Sequence, residues 1–124
     1  MSLEIYNIEN AGEIDRERII FKVRGGETQI GHYAIFRCRT SPDNRPYSDP
    51  VPNAFWFVNK IVKSDDWVVL YTKSGTSSEK KNENDPSSYF YYWRLSTPIW
   101  VAGFMPVLVE TPTWRFGKPI TGAV

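Results

Sequence analysis

Sulfur and imidazole are almost missing from this chain: 124 residues hold one cysteine, Cys38, and one histidine, His32. A lone thiol excludes an intrachain disulfide. One thiol and one imidazole also fall short of the Cys/His set that a structural zinc site takes. Charge of one sign is missing too. Fifteen lysines and arginines are interleaved with fourteen aspartates and glutamates, for a formal net charge of +1. Nucleic-acid binders gather basic residues into a patch or stripe, so the composition argues against a nucleic-acid partner. No apolar run approaches the roughly 20 residues of a membrane-crossing helix. The first residues also lack the basic segment and apolar run of a secretory leader. The expectation is a cytoplasmic chain with no membrane partner. No window keeps the 3.6-residue apolar period of an amphipathic helix. Neither a phosphate-cradling Gly-x-x-x-x-Gly-Lys-Ser/Thr segment nor a Gly-x-Ser-x-Gly elbow occurs, and no cofactor is expected.

What the chain has in abundance is aromatic side chains: seven Phe, seven Tyr and five Trp. Each buries on the order of 150–250 Å², and a chain of this length buries roughly two-thirds of its unfolded surface. A core without metal or disulfide follows. The apolar residues fall in short blocks rich in β-branched and aromatic types, which suit a pleated surface. Leu3-Glu-Ile-Tyr-Asn-Ile8 alternates, with Leu3 and Ile5 on one face and Tyr6 and Ile8 on the other. Arg18 to Val23 puts Ile19, Phe21 and Val23 together, and Gly25-Gly26 makes a turn. In His32 to Arg39, Tyr33, Ile35 and Arg37 share one face. Ala34, Phe36 and Cys38 share the other, which is expected to turn inward. Residues 40–52 carry four prolines and read as a crossover loop. Continuous apolar runs at 54–58 and 67–72 read as covered strands, and 74–88 as an exposed polar loop. Tyr89 to Trp93 returns to strand, and Phe104 to Glu110 is a late strand in which Pro106 marks an edge or bulge. About seven to nine short strands in one domain spanning 1–124 predict an all-β, immunoglobulin-like β-sandwich.

The stretch from about Tyr33 to Val109 resembles the lamin-tail domain family, an immunoglobulin-like β-sandwich. The residues that carry the likeness are Tyr33-Ala-Ile before a loop into Ala54-Phe-Trp-Phe, then Ile61 to Gly75 with its acidic turn and apolar strand, then Tyr92-Trp93, Trp100 and Val107-Leu-Val109. Val101-Ala-Gly-Phe stands where the family favours a polar turn. The resemblance implies an interaction or architectural module and brings no catalytic residues.

Residue by residue, chemistry finds little footing. His32 would have to be the base of any Ser-His-Asp arrangement, yet it reads as a surface histidine at a strand entrance. Cys38 reads as a buried thiol, about 20 Å along the strand from His32 at roughly 3.3 Å per residue. Asp15 and Glu17, flanked by Arg16 and Arg18, read as a solvated strand edge. Asp65 and Asp66, if extended, point to opposite faces. Glu79, Glu83 and Asp85 lack the spacing and central glycine of a calcium loop. The aromatic strand remains, with Tyr89, Tyr91 and Trp93 on one face and Phe90 and Tyr92 on the other. One set is expected in the core. If exposed beside Lys80, Lys81 and Arg94, the rings would form a stacking platform.

The expectation is a non-enzymatic, protein-binding or structural domain, monomeric or weakly homo-oligomeric. Its contacts would be an exposed aromatic such as Tyr47 or Tyr89, aided by nearby Lys and Arg. A module binding carbohydrate or single-stranded nucleic acid through Tyr89, Tyr91 and Trp93 is the alternative, and a small hydrolase using His32 comes third. A flat apolar patch or open strand edge would favour the first, a solvent-facing row of aromatics the second, and a cleft around His32 the third.

Overall fold

The structure, a computed structural model, describes residues 1–47 and 51–122; positions 48–50 of the expected crossover lie outside the described residues. Ten strands follow one another: β1 (Leu3–Glu9), β2 (Arg18–Val23), β3 (Thr28–Gln29), β4 (Tyr33–Arg39), β5 (Asn53–Trp56), β6 (Ile61–Val62), β7 (Trp67–Tyr71), β8 (Ser78–Lys80), β9 (Ser88–Tyr92) and β10 (Phe104–Glu110). The only helical turn among the described residues is a short 3-10 segment at Ile30–His32. The fold is all-β and sandwich-like, with β1-β2-β7-β9-β8 in one sheet and β10-β4-β5 in another. A two-stranded ribbon pairs β3 with β6. Most pairs are antiparallel, but β7 and β9 run parallel. The chain leaves β7, lays β8 on the far side and returns as β9 between them. The strand count exceeds expectation because β3, β6 and β8 have only two or three residues each, too few to set a period.

Each sheet turns one face inward. The larger supplies Ile19, Phe21, Val68, Leu70, Tyr89 and Tyr91, and the smaller supplies Tyr33, Ile35, Phe55 and Leu108. Phe57 joins the layers, making edge-on contacts with Phe21 at 5.4 Å, Phe55 at 5.3 Å and Tyr91 at 5.8 Å. Edge-to-face pairs at such spacings add to the area they bury.

Three sequence readings are corrected. In β1 the register shifts between Ile5 and Asn7, so Tyr6 occupies a bulge. A bulge reverses the alternation beyond it, and Ile8 therefore returns to the core side opposite Ile19. In β4 the face that joins the core cluster is the other one. Tyr33 and Ile35 join the core cluster, while Ala34 and Cys38 on the opposite face are buried as well, as expected, and Phe36 is half-buried. Polar tips obscured this. The Tyr33 hydroxyl accepts from the Ser2 and Leu3 amides and donates to Glu110 at 3.0 Å. The Arg37 guanidinium lies 3.5 Å from the Phe104 ring centre and donates to Asn53.

The third correction concerns Glu17, which is no solvated edge residue: it is fully buried. Its carboxylate accepts from the amides of Gly12 (2.7 Å), Ile99 (3.0 Å) and Trp100 (3.2 Å), and from the Thr72 hydroxyl. One side chain thereby binds the β1–β2 turn, the end of β7 and the segment leading to β10. The two carboxylates of the 65–66 turn also have separate fates. Asp65 adopts a positive φ of 71°, whereas Asp66 is buried and accepts from the Lys63 and Ser87 amides at 2.9 and 2.8 Å.

Candidate interaction face

The residues singled out from the sequence are not gathered on one surface, although Lys81 and Tyr89 line a common cleft. Tyr89 and Tyr91 point into the core at 6% and 7% exposure, and Trp93 packs against the same cluster with its ring 5.7 Å from Phe55 and 6.2 Å from Trp100. Their alternation was legible, but a ring covered by the opposite sheet offers no surface on which to stack a base or sugar. Burial pushes the Tyr91 phenol up to about 12. Lys80 lies on edge strand β8, opposite Ser88 at the start of β9, and Arg94 lies beyond the other end of β9. Tyr47 is exposed and donates its amide to Arg39 on the smaller sheet.

Lys81 pairs with Glu79 at 3.3 Å, as does Lys60 at 3.0 Å. The Lys60 contact is the chief reason the Glu79 carboxyl titrates below its usual range. Lys81 also lines a cleft of about 890 Å³ between the 60–66 and 81–87 segments. Three lysines there (60, 63 and 81) meet Asp65, Glu83 and Asp85, so the cleft presents no field of one sign. His32 is exposed, and its backbone carbonyl accepts from Thr111. Cys38 is buried, which raises its thiol pKa. Among the described residues no three His, Cys, Asp or Glu side chains stand close enough to hold a metal ion, and no helix is long and apolar enough to cross a membrane.

The outer faces of the two sheets differ sharply. On the larger sheet, aromatic rings alternate with cations that sit on them. Lys22 Nζ lies 3.8 Å from the Trp67 ring centre and donates to the Asp65 carbonyl at 2.6 Å. Tyr6 meets Trp67 edge-on at 4.9 Å. Tyr71 carries Arg18 and Lys73 at 5.8 and 5.3 Å and stacks on Tyr92 at 5.3 Å. A Cβ on Gly75 would collide with the Tyr92 ring, so glycine there lets the loop lie against it. This face satisfies itself.

Among the described residues the smaller sheet has no cation over a ring of its outer face, although Ala34 and Cys38 there are buried. Its register places Ala34 between Val109 and Trp56, then Phe36 between Val107 and Ala54, then Cys38 beside Met105. None of these eight outward positions carries a charge or a hydroxyl. Trp56 is 52% exposed, its indole N–H donating to the Gly31 carbonyl at 2.7 Å. Trp114 from the C-terminal segment meets it edge-on at 5.0 Å, and Phe116 continues outward at 86% exposure. Of these two rings, only Trp114 meets an aromatic ring of the sheet. The sequence reading of this side of β4 as inward holds for Ala34 and Cys38 but not for the half-buried Phe36. The signal available for the face was Met105, Val107 and Val109, alternating on one side of the late strand.

The edges of this sheet are less inviting than its face. Thr111 donates to the His32 carbonyl, and continuing that register leaves the even positions of β10 pointing away from β4. Pro106 has no N–H, and the Phe104 amide already donates to Val101. Only Leu108 and Glu110 keep outward donors, so β10 is an edge strand blunted by proline, as its sequence suggested. An apolar face flanked by a blunted edge favours packing over strand addition. No protein-family model, curated protein or solved structure matches the chain.

Proposed function

We propose that this chain is a non-enzymatic, immunoglobulin-like interaction domain that docks a protein on the outer face of its three-stranded sheet. The observation that carries the reading is the uncharged face built around Phe36, Trp56 and Val107. Isolated apolar residues are ordinary on a protein surface, but a contiguous apolar patch marks a contact site. Water gains entropy when such a face is covered, at roughly 25 cal/mol per Å². Tryptophan is the residue type most often found anchoring interfaces, and Trp56 stands at the open end of this one. Carbohydrate and nucleobase recognition need polar groups beside the rings, whereas this face offers none.

A photo-activatable benzophenone side chain placed at Val107 tests the reading, with a second placed at Ile20 on the opposite sheet. Irradiation of cells making each variant is expected to give protein adducts at position 107 and none at position 20. The absence of any protein adduct at 107, or the same adducts at both positions, removes the proposal.

A further inference from the structure

Trp56 does not stand bare in the free chain, because the segment that follows β10 reaches back to it. Resting on the docking reading, we infer that the partner sets an aromatic ring on Trp56 from an extended segment, and that residues 112–122 of the chain itself occupy that place until the partner displaces them.

The platform is fixed. The Trp56 indole N–H donates to the Gly31 carbonyl at 2.7 Å, which ties its polar tip and leaves the residue 52% exposed. The next carbonyl, that of His32, accepts from both the amide (2.6 Å) and the hydroxyl (3.0 Å) of Thr111. The 3-10 turn Ile30–His32 thus anchors both the platform and the start of the segment that reaches it. Pro112 follows at once. Proline has a fixed φ and no N–H, and it keeps the residue before it extended, so the β4–β10 ladder stops there. Trp114 then meets Trp56 edge-on at 5.0 Å.

The cover is not fixed. Among the described residues no hydrogen bond, ion pair or strand pairing involves positions 112–122. Every one of them is exposed, and none enters the core cluster. Phe116 meets the Trp114 ring but is 86% exposed, and Ile120 is 97% exposed. One edge-on ring pair shifts an equilibrium by about two- to tenfold. Fixing the backbone of a single residue opposes folding by as much or more. A segment of this length held by one ring pair is easily displaced.

The same segment shows what the platform accepts. It gives Trp56 a ring and gives β5 no main-chain bond, so the contact is side chain on side chain and not an added strand. Thr111-Pro-Thr-Trp-Arg-Phe-Gly-Lys-Pro-Ile-Thr-Gly122 holds two prolines, two cations and no acid. Proline-bearing extended segments suit aromatic platforms because little backbone freedom is left for them to lose. Among the described residues no ring of the cover meets Phe36. A partner segment that reaches Phe36 as well as Trp56 therefore gains a contact the cover lacks, and that difference lets it win the place.

Crosslinking from a benzophenone at position 107, repeated in the full chain with Trp114→Ala, tests the competition. Loss of the cover is expected to raise the yield of protein adducts by about two- to tenfold, and Trp114→Phe, which keeps a ring, should stay close to the parent. NMR of the purified full chain gives a readout that needs no partner. Trp114→Ala should move the Trp56 indole N–H signal and leave those of Phe21, Phe57 and Tyr91 in place. An adduct yield that stays level or falls when the Trp114 ring is removed overturns the inference and leaves the docking reading standing. A Trp56 signal indifferent to Trp114→Ala does the same. If position 107 gives no protein adduct in parent or variant, the docking reading falls and the inference with it.

Discussion

On the larger sheet's outer face, Trp67 lies under Lys22 and Tyr71 lies under Arg18, which is itself paired with Glu9 at 2.8 Å. On the smaller sheet's outer face, no cation among the described residues sits on the Phe36 or Trp56 ring. Both faces are rich in rings, so aromatic content does not distinguish them. What differs is the kind of cover the chain supplies: cations on the larger sheet, the apolar Trp114 ring on the smaller. A cation on a ring contributes about 0.5–2 kcal/mol and keeps water off one side of it. A ring without one keeps its hydration cost until something else arrives. The comparison identifies the face that has an energetic reason to find a partner.

The largest expected effect would erase the comparison altogether. Glu17 holds the segment at Ile99 and Trp100, and that segment leads into β10, one of the three strands of the apolar face. Glu17→Ala leaves three backbone amides and the Thr72 hydroxyl without their acceptor in a buried site. Loss of a buried, hydrogen-bonded carboxylate of this kind costs on the order of 3–5 kcal/mol. Urea unfolding should show that loss, with Glu17→Gln retaining part of the stability through its remaining oxygen. A Glu17→Ala chain within about 1 kcal/mol of the parent would mean that the amides find other partners and that the carboxylate is not the anchor.

Glu17 also marks where the sequence stopped being legible. Strands at 18–23, 67–71, 88–92 and 104–110 follow from short alternating or continuous apolar blocks, and the sandwich follows from their number and spacing. The edge position of Pro106 follows from its missing donor. The pleat of Tyr89, Tyr91 and Trp93 was legible, but alternation names two faces without saying which is inside. In β4 the polar tips of Tyr33 and Arg37 hid which side joins the core, since those tips bond to Glu110 and Asn53, which are distant in sequence. Glu17 looks like any charged residue at a strand entrance until the four donors that converge on it are in place. The apolar face was hidden for the same reason. It is assembled from segments around positions 34, 54 and 107, and only their register makes them neighbours.

The next effect sharpens the comparison by using pH. Tyr91 lies on the inner side of β9, and burial raises its phenol from 10.0 to about 12. Tyr33 is raised in the same direction, again chiefly by burial. Below pH 10 both folded and unfolded chains keep the phenol protonated, and its contribution to stability is complete. Above pH 10 the unfolded chain ionises first, so stability falls as pH rises toward the folded value near 12. For Tyr91 alone the loss is on the order of 2–3 kcal/mol. Tyr91→Phe should flatten the alkaline limb of a stability-versus-pH curve. An unchanged slope between pH 10 and 12 would show that other groups drive alkaline unfolding.

A smaller effect isolates the cover on the larger sheet. Lys22→Met keeps the aliphatic stem against Trp67 but removes the charge above the ring and the bond to the Asp65 carbonyl. The expected destabilisation is about 1–2 kcal/mol. If self-sufficiency of this face is what keeps it free of partners, the uncovered Trp67 should also become a second contact site. Sedimentation of the variant would then show association that the parent chain lacks. A destabilised variant that associates no more than the parent would separate stability from cover and leave the face inert for another reason.

The smallest effect concerns the exposed charges at the rim of the same sheet. Arg24 lies 3.4 Å from Glu4, with both side chains more than half exposed. In water such a pair gains little, because solvent screens the attraction and two long side chains lose freedom in meeting. Glu4→Gln should change stability by less than about 0.5 kcal/mol and leave crosslinking from position 107 untouched. The uncharged face predicts insensitivity to salt for the parent chain, since association that hides apolar surface without pairing charges has no long-range term for salt to screen. A dissociation constant that rises steeply with salt, or that responds to Glu4→Gln, would place the contact on the charged sheet and reverse the assignment of the two faces.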